Sequence, residues 1–204
     1  MSAALSAAAQ HIGATVHGSS IVERAAQGDR GPANTTVLIG ADGALLRSHR
    51  KIHRFGFGEG EPKLLDAGEE IVTAEVRDTN TTGTAVLGLA TCYDLRFPEM
   101  FRRLLDAGSE IFLVPAAWPA PRVEHWRLLG RARAVENQCF SVQCNTAGTH
   151  SRTEMGGHSR NVDPTGMVLA EGGSKEECLI ADLHLDELVA YRRNFSVLAD
   201  RRIH

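Results

Sequence analysis

Apolar and polar positions divide the chain into many short strand-like runs and a few helical ones. Residues 2–11 are alanine-rich and read as a short helix, with residues 14–16 and 20–22 extended. Residues 35–39 and 44–47 flank Gly40-Ala41-Asp42-Gly43, a connection that predicts a β-hairpin. Residues 84–90 form a compact apolar run that ends at Thr91-Cys92. Pro98 and Glu99 suit the first turn of a helix that runs to about residue 107 and stops at Gly108. Residues 111–114 predict a strand ending at Pro115. Over residues 123–138, Val123, Trp126, Leu128, Leu129, Ala132 and Val135 mark one broad apolar face of a helix. A strand follows at 140–144, then a turn at Asp163-Pro164-Thr165-Gly166 between strands 160–162 and 167–170. A closing strand at 178–183 and a short helix at 185–192 complete the pattern. Strand–helix–strand alternation in the middle and hairpins at the edges predict an α/β layered fold with a mixed sheet, as one domain over residues 1–204.

Composition narrows the function classes. With 22 Lys+Arg against 25 Asp+Glu, the formal net charge is -3, unlike the basic balance of a nucleic-acid binder. No run approaches the ~18 apolar residues of a membrane span. The alanine-rich start lacks a basic segment, and Gln10 and His11 interrupt it, so a signal peptide is not expected. Four cysteines (Cys92, Cys139, Cys144 and Cys178) without dense spacing suit a reducing cytoplasm.

The stretch Thr91-Cys92-Tyr93-Asp94-Leu95-Arg96-Phe97-Pro98-Glu99 carries the chemistry. A cysteine where a strand gives way to a helix can be lifted out of the sheet, facing backbone N–H groups that stabilise a thiolate or an oxyanion. That reading expects a lowered thiol pKa; the competing one is a buried structural cysteine. About 40 residues earlier lies the basic run Arg47-Ser48-His49-Arg50-Lys51-Ile52-His53-Arg54. Lys51 would supply a fixed positive charge to the site, or else belong to a solvated basic face. His49 and His53 are spaced to share a metal if helical, but no H-E-x-x-H pattern or acidic third ligand accompanies them, so no metal is assigned.

Together with Pro115-Ala116-Ala117-Trp118-Pro119, His125-Trp126, residues 131–138, Gly157-His158-Ser159 and Asp163-Pro164-Thr165-Gly166, these segments resemble the nitrilase superfamily of carbon–nitrogen hydrolases. The resemblance covers roughly residues 1–203. It implies a four-layer α-β-β-α sandwich, a Glu–Lys–Cys triad, no cofactor, and assembly into homodimers or larger homo-oligomers. Carried across, it makes Cys92 the nucleophile and Lys51 the oxyanion-stabilising lysine, with the N–H of Tyr93 completing the oxyanion hole. Glu61 fits the family's supporting glutamate, with Glu59 as the alternative. Cys-Tyr-Asp-Leu-Arg-Phe is similar to the branch of omega-amidases and deaminated-glutathione amidases, which act on small linear amides. Arg96 matches a substrate-carboxylate arginine there, and its alternative is an ion pair with Asp94 or Glu99. Trp118 and His125 are expected to line or support the pocket, with core packing the alternative for Trp118, while residues 119–124 depart from the omega-amidase pattern.

The family's general-base glutamate is expected upstream of the lysine, in a Pro-Glu context. Glu23 precedes Lys51 but sits in the register of the following strand and is not assigned as the base. On this register the chain is N-terminally incomplete, lacking the opening strand–helix–strand unit, and loss of the base would cost at least ~10²–10⁴-fold in rate. Two other readings stand beside an amidase: a non-catalytic homologue that binds ligand or partner, and an unrelated thiol hydrolase using His125 or His158.

Overall fold

The computed structural model describes residues 2–24, 31–77 and 83–203. In chain order the elements are α1 (Ser2–Ile12), β1 (Val16–Glu23), β2 (Ala33–Ile39), β3 (Leu45–Arg50) and a single turn, α2 (Glu61–Leu64). There follow β4 (Thr73–Arg77), β5 (Thr84–Leu89), α3 (Pro98–Asp106), β6 (Ile111–Ala116), α4 (Val123–Asn137) and β7 (Phe140–Asn145). The small strands β8 (Thr149–His150), β9 (Thr153–Glu154), β10 (Arg160–Val162) and β11 (Val168–Glu171) lead to α5 (Leu185–Asn194).

Side-chain alternation sorts these elements into layers, because successive residues of a strand face opposite sides. In β2, Val37 and Ile39 pack with Ala9 and Leu5 of α1, whereas Leu38 faces the other way. Leu38 meets Leu87, Ile111 and Phe140 of the second sheet, forming the core between sheets. On that sheet's far face, Phe112 and Val114 pack with Met100, Phe101 and Leu104 of α3 and Trp126 of α4. The order helix, sheet, sheet, helices is an α-β-β-α sandwich. One sheet is β1-β2-β3, antiparallel; the other runs β11-β10-β7-β6-β5-β4, with β5, β6 and β7 parallel at its centre.

Several expectations are refined. The two early extended runs are one strand, β1, with a register shift between Gly18 and Ile21. Strand β4 lacks a counterpart in the sequence reading, although Ala74 turns inward between exposed and half-buried neighbours. The strand expected at 178–183 does not form: the segment has no ladder partner among the described residues. Its apolar character serves packing instead, since Leu183 lies against the inter-sheet core. Helix α3 begins with Pro98 and ends where Gly108 takes φ 92°, a conformation that suits glycine. Gly130 of α4 lets that helix approach the sheet, because a Cβ there would lie 1.8 Å from Oε1 of Gln143.

Candidate active site

Parallel strands β5, β6 and β7 end on the same side of their sheet, so the loops leaving them converge. Cys92 follows β5 with φ 49°, a left-handed conformation uncommon for a residue bearing a Cβ. It opens a 3₁₀ turn, Cys92–Arg96, ahead of α3, which starts at Pro98 as the sequence predicts. The first N–H groups of such a turn lack intrahelical partners, and that of Tyr93 is among them. Arg133 of α4, buried, donates Nε and Nη2 to the carbonyl of Leu95 at 3.1 and 2.9 Å and fixes the turn from below.

The second residue group comes from the smaller sheet. Lys51 leaves β3, and its N–H is held by the carbonyl of Asn34 at 2.8 Å. Its side chain is 3% exposed and its Nζ lies 2.6 Å from Oε2 of Glu61. The same Oε2 accepts the Phe55 N–H at 2.6 Å, and Oε1 accepts Nδ2 of Asn34 at 2.9 Å. Burial alone would raise the Glu61 pKa, yet the bonds from Lys51, Phe55 and Asn34 hold it below the ordinary carboxylate value. Glu59 instead pairs with Lys63 at 2.6 Å, both well exposed. Lys51, Glu61 and Cys92 share one cleft of about 960 Å³, whose wall also carries Asn34, Cys144, Asn145 and His150. Glu23 takes no part in this cleft wall. Its carboxylate is clamped by Arg50 through Nε at 2.9 Å and Nη2 at 2.8 Å, with Thr35 adding a third bond at 2.9 Å.

A further residue joins the two segments. Asp94, fully buried, accepts the Thr91 N–H at 2.9 Å through Oδ2, and through Oδ1 the His53 N–H at 2.9 Å and ring Nδ1 at 2.8 Å. His49 Nε2 lies 3.5 Å from Oδ2. One carboxylate thus ties the turn of Cys92 to the segment that follows Lys51. Burial opposes its charge, but the bonds from His49 and His53 hold its pKa at about 2. His49 and His53, considered as metal ligands from their spacing, both serve Asp94 here. Asp94 is therefore not the partner of Arg96. The sequence offered no signal for this arrangement, since the partners lie 41 residues apart.

The thiol itself departs from expectation. Desolvation is the largest influence on Cys92 and raises its pKa, and Glu61 and Asp94 push the same way. Lys51 and the Ala117 N–H oppose this without reversing it. Burial thus works against the thiolate here, and Lys51 works for it.

Beside Cys92 a small recess is lined by Phe55, Tyr93, Arg96, Trp118, Pro119 and Arg122. Arg96 lies 4.7 Å above the Trp118 ring, and its Nη2 donates to Nδ1 of His125 at 3.3 Å. Trp118 is 3% exposed and lines the recess, whereas His125 reaches it through Arg96. His158 sits away from both cavities, with Nδ1 2.9 Å from Glu171. Arg122 was not singled out from the sequence.

The carbon-nitrogen hydrolase family profile matches residues 1–193. This chain belongs to that family. It is 48% identical over 169 residues to a 2-oxoglutaramate amidase of Paenarthrobacter nicotinovorans, covering 83% of this chain and 57% of the relative. It is 35% identical over 183 residues to a deaminated glutathione amidase of Synechocystis, covering 85% and 66%. The chain thus spans about three fifths of the length of these relatives. Among solved structures, Saccharomyces cerevisiae Nit3, of branch 10 of the nitrilase superfamily, superposes with TM-score 0.87 at 31% identity, over 99% of this chain and 71% of that one. In family terms the chain sits in the amidase branch of the nitrilase superfamily. No described helix is long and apolar enough to cross a membrane.

Proposed function

We propose that the protein is an amidase that hydrolyses a small linear amide bearing a carboxylate, through a thioester on Cys92. The observation that carries this reading is the meeting of Cys92, Lys51 and Glu61 in one cleft at the ends of parallel strands. Sγ of Cys92 attacks the amide carbon as its proton passes to a base. The carbonyl oxygen becomes an oxyanion that Lys51 Nζ and the Tyr93 N–H stabilise. Collapse breaks the C–N bond, the nitrogen takes a proton and ammonia leaves. Water then attacks the thioester, releasing the carboxylate and restoring the thiol.

Glu61 serves Lys51 in this scheme. Its oxygens already accept three donors, which makes it a weak proton acceptor and a firm counter-charge. Glu59 is engaged with Lys63. The family resemblance implies a further glutamate as the base. That engagement is also what favours the second reading, a homologue that binds the amide without cleaving it. The 2-oxoglutaramate amidases among the relatives support a substrate with an acid at one end and an amide at the other. Exposed Leu128 and Val135 on α4 support a homo-oligomer, which sedimentation would test.

The test is ammonia release from glutaramate. Cys92→Ala is expected to abolish it, together with labelling by iodoacetamide; release that persists in Cys92→Ala overturns the mechanism. Glutaramate that protects Cys92 from labelling with no ammonia released would select the binding-only reading.

A further inference from the structure

We propose that Arg122 is a second anion-recognition residue beside Arg96, and that the two guanidiniums together select amides whose far end is a carboxylate. The inference rests on the amidase reading above and adds a specificity determinant to it. The recess beside Cys92 measures about 50 Å³, against the ~10–15 Å³ that one water needs by the same measure, so it has room for a carboxylate head.

Both arginines are built into its wall in the same manner. Arg96 lies over the Trp118 ring at 4.7 Å, and Arg122 over the Phe55 ring at 5.7 Å. Stacking covers the faces of a guanidinium and leaves its N–H edges to donate. Trp118 holds both: its ring underlies Arg96, while its Nε1 donates to the Arg122 carbonyl at 2.8 Å. Trp118 is itself pinned by Asn145, whose Oδ1 accepts the Trp118 N–H at 2.6 Å and whose Nδ2 donates to its carbonyl at 3.2 Å. Trp118, held through its main chain by Asn145, thus lies under the Arg96 guanidinium and anchors the Arg122 backbone.

What distinguishes these cations is the lack of a counter-charge. Arg50 meets Glu23, Arg133 meets Glu136 and Arg201 meets Asp106, but neither Arg96 nor Arg122 has a carboxylate within 4.0 Å among the described residues. Glu99 and Asp94, the candidates for Arg96 along the sequence, do not pair with it. Two like charges sharing a half-buried recess repel, and a carboxylate entering between them offsets both, bonding to each through charge-assisted hydrogen bonds.

Protection of Cys92 against iodoacetamide tests the assignment without requiring turnover. Glutarate and neutral pentanamide are compared as protecting agents on the wild type, Arg122→Gln, Arg122→Lys and Arg96→Gln. Arg122→Gln is expected to raise the glutarate concentration for half-protection about 10–100-fold. Pentanamide should be unaffected within about twofold, and Arg122→Lys should recover part of the loss through its charge without the fork. Equal weakening of both agents, or no change for glutarate, overturns the proposal. Arg122→Lys, which keeps the charge and the stem, preserves the comparison if Arg122→Gln loses its fold. Failure of the amidase reading shows separately, as no ammonia released from glutaramate by the wild type.

Discussion

Lys51 and Arg96 both carry a positive charge to the cavities around Cys92, but the protein treats the two charges in opposite ways. Lys51 is nearly inaccessible and lies 2.6 Å from Glu61, a carboxylate that Asn34 and Phe55 also hold. Arg96 has a ring beneath it and an imidazole beside it, and Arg122 shares its recess. A buried ammonium without a partner would be strongly destabilising, so the Lys51 wall must be complete before substrate arrives. Guanidiniums are weakly hydrated and half-exposed here, and they tolerate waiting for a counter-ion. The contrast separates fixed machinery, which is neutral overall, from a recognition surface, which is not.

The sharpest way to break the contrast is to make the paired wall resemble the unpaired one. Glu61→Gln keeps an acceptor for Asn34 but leaves Lys51 without a counter-charge. The loss of turnover should be about 10²-fold, by analogy with the loss of one oxyanion donor, because Lys51 is no longer held. The thiol should respond in the opposite direction. Glu61 is one of the charges that raise the Cys92 pKa, so removing it makes iodoacetamide labelling at pH 7 faster, about two- to fivefold. Slower ammonia release with faster labelling supports positioning by Glu61. Slower labelling would show that Glu61 helps to ionise the thiol, contrary to the geometry.

A second change cuts the strut between the walls. Asp94→Asn removes the charge that accepts from Thr91, His53 and the His53 ring. A destabilisation of about 2–3 kcal/mol is expected in urea at pH 7. The sign of its pH dependence follows from the folded pKa of about 2, below the ordinary 3.8. Above 3.8 the stabilisation is fully present, and it is lost as pH falls from 3.8 toward 2. Wild type and Asp94→Asn should therefore converge in stability across that acid window. Parallel curves would mean that Asp94 acts by shape alone.

What the sequence disclosed follows from how local each signal was. Pro98 and Gly108 bracket α3, and Trp126 with Leu129 and Ala132 marks α4, because caps and periodicity need no distant partner. Cys92 stood out because it ends an apolar run, and Lys51 because it follows a hairpin strand within a basic stretch. The strand expected at 178–183 failed for the complementary reason: Leu183 satisfies its burial by packing, and no neighbouring strand offers a ladder. The choice between Glu61 and Glu59 depended on a loop whose course, with Gly56, Gly58 and Gly60 at positive φ, has no periodic signature. Asp94 and Arg122 were invisible because their roles come from partners brought together by the sheet.

The smallest expected effect lies at the edge of the buried network around Asp94. His17 of β1 has its pKa lowered to about 4, first by burial and then by the neighbouring charge of His49. The Thr36 hydroxyl donates to the Gly18 carbonyl at 2.9 Å, so it accepts from Nε2–H of a neutral His17 at 2.5 Å. Above pH 6.5 the imidazole is neutral whether folded or unfolded, and it costs nothing. As pH falls from 6.5 toward 4, the unfolded chain takes up a proton that the folded one refuses, and stability is lost across that interval. Between pH 7.5 and 5.0 this amounts to about 1–2 kcal/mol, allowing for partial exposure of the ring. His17→Gln can still donate to Thr36 but does not titrate, so its urea midpoint should move less over the same range. If the two midpoints fall in parallel, His17 is protonated in the folded protein. The charge excluded from this side of Asp94 would then be tolerated, and the division between neutralised and waiting charge would stop short of β1.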